Sequence, residues 1–178
     1  MEIQASRSAA RRGRNGEAVL LLEQDRRLWN YAQIQRGLAA LEEAQKLGGG
    51  ASNYALQAAI AACHARAGAA EETDWERIVL LYDALLQISP SPVIALNRAV
   101  AVSMSRGPAV ALEALDDLAN ESALAGYHLL PGVRGDLLMK LNRFAEARIE
   151  IQQAISLTQN KRERELLREK LVRIQRAE

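Results

Sequence analysis

Apolar residues recur along the chain at spacings of three and four, in blocks cut by glycine and proline, and that period predicts helices throughout. Residues 2–12 read as a short helix ending at Arg12-Gly13, followed by a turn at Gly13-Arg14-Asn15-Gly16. Glu17 to Glu23, apolar from Val19 to Leu22, reads as a short extended piece and is the one place where a strand is tolerated. From Gln24 a long helix is expected to Leu47, with Ile34, Leu38, Leu41 and Ala44 as its stripe and Gly48-Gly49-Gly50 as its stop. The next starts after Ser52, places Leu56, Ile60, Cys63 and Ala67 on one face, and ends at Gly68. Thr73-Asp74-Trp75-Glu76 has the form of a capping box and opens a helix to Ile88 that aligns Trp75, Ile78, Tyr82 and Leu85.

Ser89-Pro90-Ser91-Pro92 ends that helix, and Pro92 to Ser105 forms another with Val93, Leu96, Val100 and Met104 inward. Gly107 breaks the chain, and Pro108 starts a helix to about Ala119. Residues 123–141 give a longer helix with Leu130, Val133, Leu137 and Leu141 on one face, kinked or split at Pro131-Gly132. After the turn at Asn142-Arg143 come a helix carrying Phe144, Ala147, Ile151, Ala154 and Ile155 and a last one carrying Leu167, Leu171 and Ile174.

These helices form consecutive hairpins with a period. Gly107 and Asn142 occupy equivalent turns 35 residues apart, near the roughly 34-residue tetratricopeptide repeat. Around Asn142, Gly135, Ala147 and Ala154 fall where close helix crossings need small residues; in the preceding unit Gly107, Leu112 and Ala119 fit less well, and Pro90 sits where a repeat ends after Tyr82 and Leu85. The expected fold is all-α: tetratricopeptide-like stacked antiparallel helix hairpins forming a right-handed superhelix. Composition agrees, because 49% of the 178 residues are hydrophobic while only one Phe, two Trp and four Tyr are present. Cys63 is the sole cysteine, so no disulfide staples the chain.

The net charge of +1 gives no overall field for nucleic acid or anionic lipid. Both ends are +3, Arg7, Arg11, Arg12 and Arg14 standing against Glu2 at one of them, and the middle is −5. Glu163, Glu165 and Glu169 interleave the C-terminal bases, as on a solvated helix. No apolar run is long enough to cross a bilayer and the start has no apolar signal region, so a cytoplasmic protein without membrane contact is expected.

Candidate chemistry is thin. His64 and His128 stand apart without metal-ligand spacing, Gly48-Gly49-Gly50 lacks the Lys-Ser/Thr of a phosphate loop, and the pairs Asp116-Asp117 and Glu71-Glu72 have no nearby base and read as solvated faces. No catalytic, metal or cofactor site is expected, and the chain reads as a binding or regulatory module rather than an enzyme. Gln57, His64, Asn97, Arg98 and Arg134 lie within apolar helices, where they form an internal hydrogen-bond network, line a concave face, or fix helix register.

Several phrases, taken in order, resemble a bacterial module: Leu21-Leu22-Glu23-Gln24-Asp25-Arg26 with Trp29, Tyr54 to Ala62 with His64, and Thr73-Asp74-Trp75. Ser91-Pro92-Val93 with Leu96-Asn97-Arg98-Ala99-Val100-Ala101, and Gly126-Tyr127-His128-Leu129-Leu130, continue it. Across residues 1–176 the chain resembles the C-terminal tetratricopeptide-like extension of a group of extracytoplasmic-function RNA polymerase sigma factors.

The resemblance implies two preceding domains that contact RNA polymerase core and promoter DNA. Residues 1–16 would be a helix and turn leading from them, residues 17–178 a single helical domain, and Met1 an internal methionine. It further implies control of sigma activity through an intramolecular contact with those domains or through a partner protein or small ligand in a shared groove. The residues carried over to that groove are Gln24, Asp25, Arg26, Trp29, Gln57, His64, Asp74, Asn97, Arg98, His128 and Arg134. Two positions depart from the pattern: Asn30 stands where an acid follows Trp29, and Gly135 where Ala is usual. The alternatives are a free-standing scaffold holding a peptide or partner helix, and direct DNA contact by the basic ends, which salt would weaken steeply.

Overall fold

A computed structural model describes residues 1–13, 19–118 and 121–177. Among them the regular structure is helical, with no strand. The chain divides into two compact units, Met1–Pro90 and Ser91–Glu178.

The first unit holds α1 (Glu2–Ala5), α2 (Tyr31–Lys46), α3 (Asn53–Arg66) and α4 (Trp75–Ile88). Each of the last three starts on a side-chain cap that accepts a backbone N–H three residues on: Asn30 from Gln33, Ser52 from Ala55 and Asp74 from Arg77. Gly48, with φ of 79°, takes the left-handed turn that ends α2. Consecutive helices pack on one another, and α1 lies against both α2 and α3. Its direction opposes α2, since the Asn30 N–H donates to the Ser6 carbonyl at the start of α2 while Glu2 pairs with Arg36 two turns along.

Several expected bounds move. The 2–12 helix is one α-turn and a 3₁₀ turn at Ala9–Arg11. The segment that could have been a strand is a 3₁₀ turn at Leu21–Glu23 in its described part, while residues 14–18 lie outside the description. The helix expected from Gln24 starts at Tyr31, because Asp25 caps a separate 3₁₀ turn at Arg26–Leu28 and Asn30 then caps α2. The capping box is displaced by one residue: Asp74, not Thr73, caps α4.

The second unit holds α5 (Pro92–Ser105), α6 (Pro108–Asp116), α7 (Leu129–Lys140), α8 (Phe144–Leu157) and α9 (Lys161–Ala177), each packed on the next. The connections of two or three residues in α5–α6, α7–α8 and α8–α9 turn each of those pairs into an antiparallel hairpin, as the spacing predicts. Gly107 and Asn142, the two turn positions 35 residues apart, both have positive φ (93° and 58°). On α8, Ala147, Ile151 and Ala154 are fully buried, and Ile151 and the Ala147 carbonyl stand against Gly135 of α7.

Two corrections fall here. Of Val93, Leu96, Val100 and Met104, only Leu96 is buried; Ala99, Ala101, Val102 and Ser103 supply the rest of the covered face of α5. Pro131 neither kinks nor splits a long helix, because α7 begins at Leu129 and places the proline in its first turn, where no N–H is needed. Ser122–Leu124 is a separate 3₁₀ turn, and the expected end of α6 at Ala119 lies outside the described residues. No described helix is long and apolar enough to cross a membrane.

Candidate functional site

In the first unit, residues far apart in sequence converge at the C-terminal end of α3. The last carbonyls of a helix have no partner within it and must be met from outside. Arg26 meets them: one guanidinium nitrogen donates to the carbonyls of His64 and of Ala67 (2.7 Å to the latter), and the other lies 3.4 Å from Thr73 Oγ1. Asp25 sets up this reach by accepting the Arg27 N–H (3.0 Å) and so holding the 3₁₀ turn.

The Arg26 guanidinium stands 4.9 Å from the Trp29 ring centre, and Arg7 stands 5.7 Å from the same ring. Trp29 is buried with Ala10 and Ile34. His64, also buried, meets Trp75 edge-on at 5.1 Å. Loop 67–73 closes the arrangement, with the Gly68 and Ala69 N–H groups donating to the Glu72 carboxylate (3.0 and 3.3 Å). A depression of about 280 Å³ lies between Gln24–Arg27 and residues 68–71.

The electrostatics follow from this packing. Burial, reinforced by the charges of Arg7 and Arg26, lowers the His64 pKa to about 4, so the imidazole is neutral near pH 7. Burial also lowers the pKa of Arg26, against the pull of Glu71 and Glu72, and that of Arg7, where Arg11 and Arg26 add to the effect. Burial pushes the Cys63 thiol up, away from the reactive thiolate. Among the described residues neither Arg7 nor Arg26 forms an ion pair. The cluster therefore holds two cations, a neutral imidazole and two indoles, with neither an activated nucleophile nor an acid–base pair.

Of the other first-unit candidates, Gln24 is half-buried and donates to the Val19 carbonyl (3.2 Å). Asp25 and Asp74 are exposed caps, and Gln57 faces outward and bonds Asn53. The sequence reading missed Arg7, taken as part of a basic end, and Thr73, taken as a cap. For Arg7 a signal existed, because Ile3, Arg7 and Ala10 share the four-and-three spacing of a covered face, and all three are buried.

The second unit holds the remaining candidates. Arg134 donates from Nε to Glu150 (2.8 Å) and from Nη1 to Asp116 (2.6 Å), and Arg143 pairs with Glu146 beside it (2.6 Å). These line a depression of about 290 Å³ with Leu112, Leu138 and Ile149. The two carboxylates outweigh the desolvation of Arg134 and raise its pKa. Asp116 is exposed, as expected of a solvated face, and is in addition an ion-pair partner. His128 Nε2 lies 2.9 Å from Glu163 Oε2, an approach without hydrogen-bond alignment, and that carboxylate accepts from Thr158 Oγ1 (2.7 Å). Asn97 is exposed on α5 and Arg98 half-buried.

Comparison with known proteins adds two relationships. Residues 1–45 match a family of unknown function (DUF6596). An uncharacterized protein of Rhizobium meliloti (strain 1021) is 47% identical over 169 residues; the match covers 95% of this chain and 39% of that relative, so this chain spans about two fifths of the relative's length. No solved structure matches.

Proposed function

We propose that the chain is the non-catalytic, C-terminal regulatory and protein-interaction part of a bacterial extracytoplasmic-function sigma factor, acting in transcription initiation in the cytoplasm. RNA polymerase core and promoter DNA are contacted through domains outside this chain. The helical repeat controls them through a contact with those domains, or through a partner protein or small ligand.

One observation carries this reading. Three of the five phrases that resemble the sigma-factor extension, at residues 21–29, 54–64 and 73–75, are distant in sequence yet meet in the Arg26–Trp29–His64 cluster. A shared pattern that closes on one interlocked cluster belongs to a shared folded unit, not to scattered chance agreement. The match to a relative more than twice as long leaves ample length for further domains. The neutral His64, the raised Cys63 and the absence of an acid–base pair in the cluster support a non-catalytic role.

The test is reconstitution of transcription with the protein encoded by the whole reading frame. Removing residues 24–178 is expected to change promoter-dependent transcript yield while the remaining domains stay folded. Unchanged yield from a stable truncated protein would overturn the regulatory role. A free-standing scaffold is the second reading, favoured by the open apolar trough along α2 and α3. A reading frame that starts at Met1, directly behind a ribosome-binding site, would decide for it.

A further inference from the structure

Three side-chain nitrogens of the Arg26 cluster are buried without a hydrogen-bond partner among the described residues: Arg7 Nε, Trp29 Nε1 and His64 Nδ1. All three residues are more than nine-tenths covered, with Arg7 9%, Trp29 4% and His64 8% exposed. They share one neighbourhood. The Arg7 guanidinium stands 5.7 Å from the Trp29 ring centre and that of Arg26 4.9 Å, while Arg26 donates to the His64 carbonyl. Arg7 gives its Nη2 to the Gln4 side chain and leaves Nε unmet. A buried donor without an acceptor is costly, and native proteins rarely gather several of them in one place unless an ion or a water serves them.

The donors define what fits. A guanidinium Nε–H and an indole N–H can only donate, so their partner must accept from both. Neither guanidinium has a carboxylate among the described residues, and both charges act on His64. A water would accept the bonds but leave two positive charges standing in covered surroundings, whereas an anion answers bonds and charge together. Burial limits that anion to a small monovalent one, because the cost of stripping water rises steeply with charge. The depression beside Arg26 is a poorer seat, since Asp25 and Glu71 line it and repel an anion.

We propose that the first unit carries a buried site for a small monovalent anion of the size of chloride. Arg7 Nε–H and Trp29 Nε1–H hold it beside the charge of Arg26, and His64 adds a third donor in the tautomer that carries its proton on Nδ1. The site asks only that this cluster folds as described, and it does not depend on the sigma-factor reading.

The test uses bromide as the probe, because a bromide ion touching an indole quenches its emission. The chain has two tryptophans, so Trp75→Phe leaves Trp29 as the sole indole. Sodium bromide is titrated against sodium gluconate at constant ionic strength. Trp29 emission is expected to fall along a saturating curve, and chloride to reverse the loss by competition. Urea unfolding of the unsubstituted chain reads the same binding: with chloride at ten times its dissociation constant, the unfolding constant should be about tenfold lower than in gluconate. Trp29→Phe, which keeps a ring and removes only the N–H, and Arg7→Gln should each lose most of that difference. Arg27→Gln, at an exposed position, should keep it.

Quenching that is absent or strictly linear in bromide, with equal unfolding constants in the two salts, would overturn the site. A chloride effect that survives in both Trp29→Phe and Arg7→Gln would place the ion elsewhere and overturn it as well. Stronger stabilisation by phosphate than by chloride at equal ionic strength would indicate an open surface site and do the same. None of these results bears on the reconstituted transcription that tests the proposed function.

Discussion

In the first unit Arg26 is held by main-chain carbonyls and the face of an indole, whereas in the second Arg134 is held by two carboxylates. The difference separates two uses of a cation. Neutral acceptors give Arg26 no ion-pair partner, so its charge adds to burial and to Arg7 in lowering the His64 pKa, while its bonds tie the 3₁₀ turn at 26–28 to the end of α3 and to the loop before α4. Arg134 is paired with carboxylates where it stands, and its bonds link α6, α7 and α8. The first arrangement is a clasp between distant segments; the second is local pairing between stacked helices.

That contrast gives an ordering of losses. Arg26→Met removes the donor for two helix-end carbonyls and the Thr73 hydroxyl, and with half-burial taken into account the cost is expected to be about 3 kcal/mol in urea unfolding. Arg134→Met leaves Glu150 half-buried but Asp116 well exposed, and about 1 kcal/mol is expected. Equal losses would erase the distinction between clasp and local pairing.

Burial of His64 beside the clasp, with the charges of Arg7 and Arg26, has its own signature in pH. His64 titrates near 6.5 in an unfolded chain and near 4 in the fold, so protons bind the unfolded state more readily. Its contribution to stability is complete above about pH 6.5 and is lost as the pH falls toward 4. Allowing for relaxation around the imidazole, about 2 kcal/mol is expected to disappear across that window. Comparing urea midpoints at pH 7 and pH 4.5 for the protein and for His64→Gln isolates the effect, which the variant should lack. A variant with the same pH dependence would place the titration elsewhere.

Legibility from sequence divides along the same line. The helices and their turns are local facts: the three-and-four spacing, Pro92 and Pro108 at helix starts, and Gly107 and Asn142 at positive φ all register in neighbouring residues. Bounds failed where two candidates competed. Thr73 and Asp74 are both good caps, and Thr73 is instead taken up by Arg26, 47 residues away. Val93, Val100 and Met104 form an apolar stripe, but spacing cannot say whether a helix covers it. The ends of the clasp were invisible for a plainer reason: Arg26 bonds carbonyl groups, which every residue has, so no side-chain pattern announces them.

The two glycines at helix crossings sharpen the comparison of units in packing rather than charge. Alanine at position 135 answers the departure noted in the sequence, since a Cβ there would sit 2.5 Å from Ile151 Cδ1 and 2.8 Å from its Cγ1. The contact is with the end of a side chain that is itself fully buried, so overpacking is only partly relieved by rotation and partly offset by the better helix propensity of alanine. Gly135→Ala should cost about 1 kcal/mol, and trimming the partner, as Gly135→Ala with Ile151→Val, should recover most of it.

At Gly37 the same Cβ meets Ile3 Cγ1 at 2.5 Å but also the Ile3 backbone nitrogen at 3.2 Å and Glu2 Cβ at 3.3 Å, so no side-chain rotation clears it. There α1 as a whole must lift. Gly37→Ala is therefore expected to change global stability little, because an exposed one-turn helix contributes little, yet to raise hydrogen exchange across residues 2–6 while α2 and α3 stay protected. Protection of residues 2–6 unchanged by that substitution would show that Ile3 is not what holds α1 in its seat.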